Sequence, residues 1–246
     1  MSSAERLDVL LVARGLAASL EQARALVLAG VVRVNGAPAR HAGSRVKEES
    51  CIERAMGDHP FVSRGGTKLA AGLDEFSIVV AERTCVDVGA STGGFTDCLL
   101  QRGAACVHAI DVGYGQLAWR LRTDPRVRLH ERTNMRHLGP SSLDPAPSLA
   151  VMDVSFISLR LLLAPTLAQL AREGEIVALV KPQFEVNRDQ VGRGGVVHDD
   201  GLRHGAVSGV AEAAARLGLR LAGSCDSPIA GGRKGNREIL VHLVRP

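Results

Sequence analysis

Aromatic residues are scarce in this chain of 246 residues, with five phenylalanines, one tyrosine and one tryptophan. That scarcity argues against a surface that grips nucleic acid chiefly by stacking bases on rings. Long apolar runs are missing too: the best stretches, 26–34 and 161–170, are interrupted by Gly30, Arg33 and Pro165. Both fall short of the roughly 18–20 residues that a membrane span needs. The first eight residues are polar and charged, so no secretory leader and no membrane association are expected. Cysteines at 51, 85, 98, 106 and 225 are odd in number and contain no C-x-x-C pair. Neither a disulfide framework nor a metal site is expected, and the cysteines point to a reducing cytoplasm. What is present, 46% apolar and 23% charged residues, suits a folded chain with one large domain and one small one.

The net charge of +4 is small, but nearly all the cations are arginine, which suits bidentate contact with phosphate. A break falls near Lys47-Glu48-Glu49-Ser50 and Gly57-Asp58-His59-Pro60, where polar residues and turn formers replace periodic segments. Ahead of it, Leu7, Leu10, Leu11 and Leu16 form one helical stripe. Ser19 is an N-cap for a second helix with an apolar face of Ala23, Leu26 and Val27. Gly30 stops that helix, Val31–Val34 reads as a strand, and Asn35-Gly36 is a tight-turn signal. Between Arg6 and Lys47 seven cations face two anions, an excess of +5. Such a run reads either as a solvated face or as a footprint for nucleic acid.

After the break, strands and helices alternate. Strands are expected at 84–89, 106–111, 127–131, 149–155 and 176–181, with helices at 94–102 and 159–172. A further helix from Asp200 to Leu217 precedes two strands, 219–225 and 238–244, that close as a hairpin. This rhythm predicts an α/β fold with a mostly parallel seven-stranded sheet covered on both faces. Asp87-Val-Gly89-Ala90-Ser91-Thr-Gly93-Gly94-Phe95 leaves the first of these strands and opens a helix, the context in which a glycine loop cradles a nucleotide-like ligand. The loop lacks G-x-G-x-x-G and the Lys-Ser/Thr of a phosphate loop, which disfavours dinucleotides and ATP. An acidic residue two places before the first glycine suits a ligand with positive charge, such as S-adenosylmethionine. Asp111, ending the next strand, is placed either to accept ribose hydroxyls or to cap a turn. Asn134 suits either a cofactor contact or a turn. Phe156 suits either the core or a target pocket, and the loop 187–199, with Arg188 and Arg193, either an RNA contact or a cover. Arg233 and Lys234 offer a second basic point.

Two resemblances follow from these motifs. Residues 5–52, from Arg6-Leu-Asp to Val32-x-Val34-Asn35-Gly36, resemble the alpha-L RNA-binding motif, which implies RNA contacts from Arg6, Arg14, Arg24 and Arg33, with Arg64 beyond it. The glycine loop resembles that of FtsJ-like ribose 2′-O-methyltransferases. Together with Phe61-Val-Ser-Arg-Gly-Gly-Thr-Lys-Leu69, Met152-Asp-Val-Ser-Phe-Ile-Ser-Leu159, Val180-Lys-Pro-Gln-Phe-Glu185 and Gly235-Asn-Arg-Glu238, the chain resembles the TlyA family. The resemblance implies a Rossmann-like class I methyltransferase at 67–246, a linker at 59–66 and a small α+β RNA-binding domain at 1–58. It implies S-adenosyl-L-methionine as cofactor, held by Asp87, Gly89, Ala90, Ser91, Gly93, Gly94, Phe95, Asp111, Asn134 and Asp153. A Lys68, Asp153, Lys181, Glu238 tetrad would methylate cytidine 2′-hydroxyls of ribosomal RNA in the cytoplasm. In this scheme Lys181 activates the hydroxyl, Asp153 and Glu238 orient the lysines, and Lys68 polarises the attacking oxygen. Members of the family also carry the name haemolysin, so a membrane-acting lysin and a non-catalytic RNA-binding protein are the alternatives. The tetrad has a positional rationale as well. Asp153 and Lys181 end parallel strands, and ligands of open α/β sheets bind outside those ends.

Overall fold

A computed structural model describes residues 4–54, 59–231 and 235–245. Gly57, Asp58, Arg233 and Lys234 lie outside the described residues. At the amino-terminal side β1 (Ala4–Arg6) runs into α1 (Leu7–Ala13), followed by α2 (Leu20–Leu28). The Ser19 hydroxyl accepts from the Gln22 N–H at 3.1 Å, the N-cap that the sequence predicts. β2 (Val32–Val34) and β3 (Ala37–Pro38) form a hairpin across Asn35 and Gly36, whose φ values of 50° and 78° are those a two-residue turn demands. β4 (Arg45–Lys47) pairs with β1, and β5 (Ile52–Arg54) with β2. Leu7, Leu11, Ala23, Val27, Val32 and Ile52 form the separate small core beneath these elements.

α3 (Gly65–Glu75) comes next, so Gly65 and Gly66 of the expected linker already belong to a helix. The stretch just before it is anchored rather than free: the Val62 N–H donates to Asp97 at 2.7 Å, and the Phe61 ring lies against Gly66. The large sheet then follows as β6 (Thr84–Val88), α4 (Gly94–Gln101), β7 (Cys106–Ile110), α5 (Trp119–Arg122), β8 (Val127–His130), β9 (Leu149–Met152), α6 (Leu163–Leu167), β10 (Glu175–Val180), α7 (Pro182–Glu185), α8 (Asp200–Ala215), β11 (Arg220–Asp226) and β12 (Ile239–Val244). Its order is β11-β12-β10-β9-β6-β7-β8. β6 to β10 are parallel, while β12 runs antiparallel to both β10 and β11. Central strands such as Leu149-Ala-Val-Met152 are buried on both faces, because one apolar core fills each side of the sheet.

One expected element differs. In place of a helix over 159–172, the chain makes a 3₁₀ turn at Leu159–Leu161 and then the short α6. Pro165 sits in the first turn of α6, where its missing N–H costs nothing; a helix running through from 159 would put it in the interior.

β6 is flanked by β7 on one side and β9 on the other, so the chain reverses direction of winding there. Crevices for ligands open at this point, outside the carboxyl ends of the strands. The starts of α3 and α4 meet at the same edge. A Cβ on Gly94 would clash with Ser63 Oγ and come within 3.0 Å of the Gly66 nitrogen. Gly94→Ala is therefore expected to lose about 1–3 kcal/mol of stability by pushing the two helix starts apart. That corresponds to a fall in Tm of roughly 2–4 °C per kcal/mol. A Tm unchanged within 1 °C would show that the close approach is not required.

Candidate active site

The last residue of a parallel strand is followed by a chain that must turn away from the sheet, so polar side chains there face the rim. Asp153 follows β9 and Lys181 follows β10, neighbouring parallel strands, and their side chains meet with Lys181 Nζ 2.7 Å from Asp153 Oδ1. Lys181 Nζ also donates to Ser155 Oγ at 2.9 Å. Glu238 stands just before β12, whose antiparallel register sets Ile239 opposite Val180 and so brings Glu238 beside the same edge. Lys68, on α3, reaches it and donates to Glu238 Oε2 at 2.5 Å. Four charged residues spread over 170 positions thus form two ion pairs, with Lys68, Lys181 and Glu238 buried. They include two of the four lysines in the chain. Gly231 makes room for Glu238, since a Cβ there would clash with its carboxylate.

Lys68, Asp153 and Lys181 line a cavity of 220 Å³ together with Arg64 and residues of the glycine loop, among them Gly89, Ala90, Ser91, Gly94 and Phe95. A second cavity, 560 Å³, adjoins it and shares Gly89, Ser91, Asp153 and Ser155. Asp111, Asn134 and Phe156 line this one. Gly89 has φ +87°, and a Cβ there would lie 2.9 Å from the Asp153 carbonyl oxygen, so only glycine lets the two strand exits pass. Asp111 caps the turns beside it and lines the larger cavity. Its oxygens accept from the Ser91 and Gly113 amides at 2.8 and 2.7 Å, which ties the loops after β6 and β7 together. Asn134 likewise caps a 3₁₀ turn through the Arg136 N–H and lines the wall.

Asp87 and Gly93 are placed differently from the other loop residues and line neither cavity. Asp87 is fully buried, and its Oδ2 accepts from the Thr96 N–H and hydroxyl at 2.9 and 2.7 Å, holding the start of α4. Its other oxygen is buried without a hydrogen-bond partner. Burial, and then the negative charge of Asp153 and Asp111, outweighs the Thr96 bonds and leaves the carboxyl pushed up to about 7. Asp153 and Asp111, by contrast, line the cavities beside this loop, and two carboxylates there fit a ligand that carries positive charge. Gly93, with φ +95°, is the left-handed residue that starts α4.

The exposed Phe156 settles between its two readings: it is 90% exposed on the rim and is not a core residue. Four of the arginines assigned to RNA are engaged within the chain. Arg6 and Arg24 share the buried Asp8, Arg14 donates to the Ser50 and Glu48 carbonyls, and Arg33 to that of Gly36. Arg64 is exposed at the mouth of the smaller cavity. Arg40 and Lys47 are exposed with no ion pair among the described residues. Both belong to the basic excess, but no motif singles them out. Ser155, Glu185 and Asn236 lie within the sequence motifs, which give them no role. Asn236 accepts from the Val197 N–H at 3.0 Å and donates to the Gly195 carbonyl at 2.7 Å, fastening the loop 187–199 to the rim.

This arrangement is a class of protein before it is a family. Residues 61–245 match the model of the FtsJ-like methyltransferases and residues 5–50 that of the S4 domain. A 16S/23S rRNA (cytidine-2′-O)-methyltransferase named TlyA, from Mycobacterium tuberculosis, is 48% identical over 99% of this chain and 91% of its own length. Hemolysin A of Brachyspira hyodysenteriae is 39% identical over 97% of this chain and 99% of its own. A solved structure titled as a haemolysin, from Streptococcus thermophilus, superposes with a TM-score of 0.77 at 41% identity, covering 100% of this chain and 90% of that one. The chain belongs to the TlyA family of S4-domain methyltransferases. Among the described residues no helix is long and apolar enough to cross a membrane, and no cluster of side chains is arranged for a metal ion.

The buried Asp87 predicts a pH effect in the protein without ligand. Its ordinary value is 3.8 and the folded value about 7, so between these the unfolded chain has lost the proton that the fold keeps. Stability from this group is full below pH 4 and lost as pH rises through 7. Relative to Asp87→Asn, wild type should lose about 3 kcal/mol between pH 4.5 and 7.5 in denaturant unfolding. A difference that does not change with pH would remove Asp87 as the cause.

Proposed function

We propose that this protein transfers a methyl group from S-adenosyl-L-methionine to the 2′-hydroxyl of a cytidine in ribosomal RNA, of the large subunit and, in the wider reading, also the small. The observation that carries the reading is the pair of salt bridges, Lys181–Asp153 and Lys68–Glu238, at the strand ends beside an acid-lined glycine loop. The Mycobacterium tuberculosis relative, a 16S/23S rRNA (cytidine-2′-O)-methyltransferase, supports the choice of nucleoside and RNA.

The cofactor, when bound, supplies an electrophilic methyl group on a sulfonium. Gly89, Ala90, Ser91, Gly94 and Phe95 would hold its methionyl side, with Asp111 and Asn134 on the nucleoside side. The carboxylates of Asp153 and Asp111, which line the cavities, match its cation. A ribose hydroxyl is a weak nucleophile and must shed its proton as it attacks. Lys181 Nζ, oriented by Asp153 and Ser155, first gives its own proton to solvent and then takes the hydroxyl proton as the amine, and the carboxylate 2.7 Å away stabilises the ammonium re-formed. Lys68, neutralised by Glu238, lends positive potential to the developing oxyanion. Phe156 lines the place of the target nucleotide.

RNA is gripped, in this reading, by the amino-terminal module at 1–58, joined through 59–66 to the catalytic domain at 67–246. The arginines paired within the module hold its shape, and Arg40, Lys47 and Arg64 make phosphate contacts that weaken with salt.

The decisive experiment is transfer of radiolabelled methyl groups to unmodified ribosomal subunits, with the modified ribose mapped. Label on a cytidine 2′-oxygen is expected, and label on protein or base, or none, would overturn the proposal. Lys181→Ala should lower kcat by roughly 10²–10⁴-fold. A rise of rate with pH that is unchanged in Lys181→Ala but lost in Lys68→Ala would exchange the two lysine roles.

A further inference from the structure

Phe156 is an unusual residue to find where it is. It has φ +65°, in the left-handed region that non-glycine residues avoid, and its ring stands almost wholly in solvent. An exposed ring gains nothing from burial, so a strained backbone beneath it must be held by its surroundings. The loop that carries it, 153–159, lies alongside the segment 181–185, and the two are fastened at both ends. At one end Lys181 binds Asp153 and Ser155. At the other, the buried carboxylate of Glu185 accepts from the Ser158 hydroxyl and the Leu159 N–H, both at 2.6 Å. Arg160 balances this carboxylate, with Nε 3.2 Å from Oε2 and its guanidinium donating to the Glu185 carbonyl at 2.7 Å. Between the fastenings the Phe156 and Phe184 rings lie 5.3 Å apart, tilted by 50°.

We propose that Glu185 is a positioning residue: it clamps the far end of the 153–159 loop and so presents Phe156 to the target nucleotide. The inference rests on the reading of the site as an RNA methyltransferase. Hydrogen bonds to a buried carboxylate are short and strong, and here two of them converge on the loop just beyond the strained residue. Without them the loop is tied at one end only, and Phe156 can relax to an ordinary backbone conformation. The site would then lose alignment between hydroxyl and methyl donor, on which rate depends steeply. Asp153 stays tied to Lys181 at the other end of the loop, so its contact with the cofactor, like those after β6, β7 and β8, would not change.

The test compares wild type with Glu185→Gln, Glu185→Ala and Ser158→Ala in methyl transfer to ribosomal subunits, with equilibrium binding of S-adenosylmethionine as the control. Glu185→Ala should lower kcat about tenfold or more while the Kd for S-adenosylmethionine stays within twofold. Glu185→Gln, which retains an acceptor, should recover part of the loss. Ser158→Ala removes one clamp bond without leaving a buried charge unpaired, and should show a smaller loss in the same direction even if Glu185→Ala fails to fold. In a Phe156→Ala background Glu185→Ala should cost little more, because its effect passes through that ring. Wild-type turnover in both Glu185→Ala and Ser158→Ala, or an equal loss from Glu185→Ala with and without Phe156, would overturn the proposal. If wild type itself transfers no methyl group to RNA, the functional reading fails, and the clamp is judged by amide hydrogen exchange. Faster exchange at 154–160 in Glu185→Ala then supports it, and unchanged exchange overturns it.

Discussion

Charges buried at the rim of a sheet must be matched, and in this protein the matching ties the architecture together. Lys181 and Asp153 are adjacent only because β9 and β10 run parallel and in register. Lys68 and Glu238 meet only because β12 enters antiparallel and α3 lies across the same edge. Each pair joins elements that are far apart in the chain, and removing one partner leaves an uncompensated charge in a poorly solvated place. The fold and the chemistry therefore rest on the same contacts.

Close approach is the second condition. Gly89 lets the exits of β6 and β9 pass, Gly94 lets α3 and α4 begin side by side, and Gly231 leaves room for Glu238. These glycines are spread through the chain, yet each removes a Cβ where two segments converge on one edge. What remains open between the segments is a pair of adjoining cavities whose shared wall includes Asp153, so that a donor and an acceptor can lie on either side of it.

Much of this was legible from residue order. The alternation of strands and helices, the Ser19 cap, the Asn35-Gly36 turn and the glycine loop are local patterns, governed by propensity and sterics over a few residues. The positions of Asp153 and Lys181 were readable because a charge just after an apolar strand has one place to go. The arginines of the amino-terminal module were not readable in the same way. Charge counting does not show which cations also hold the module together, and Arg6 and Arg24, both half-exposed, pair with the buried Asp8. Asp87 shows the same limit, since its position before the glycines suggested a ligand contact, while its side chain turns inward to Thr96.

Family membership, the strand–helix rhythm and the identity of the four charged residues were determined by the sequence alone, because each is written in short contiguous motifs. Which lysine pairs with which carboxylate, that Phe156 stands exposed on a strained backbone, and that Glu185 reaches across to Ser158 were decided only by the tertiary structure. Those relations depend on distances between segments that neither periodicity nor composition records, and they come into being when the sheet brings its strand ends to a common rim.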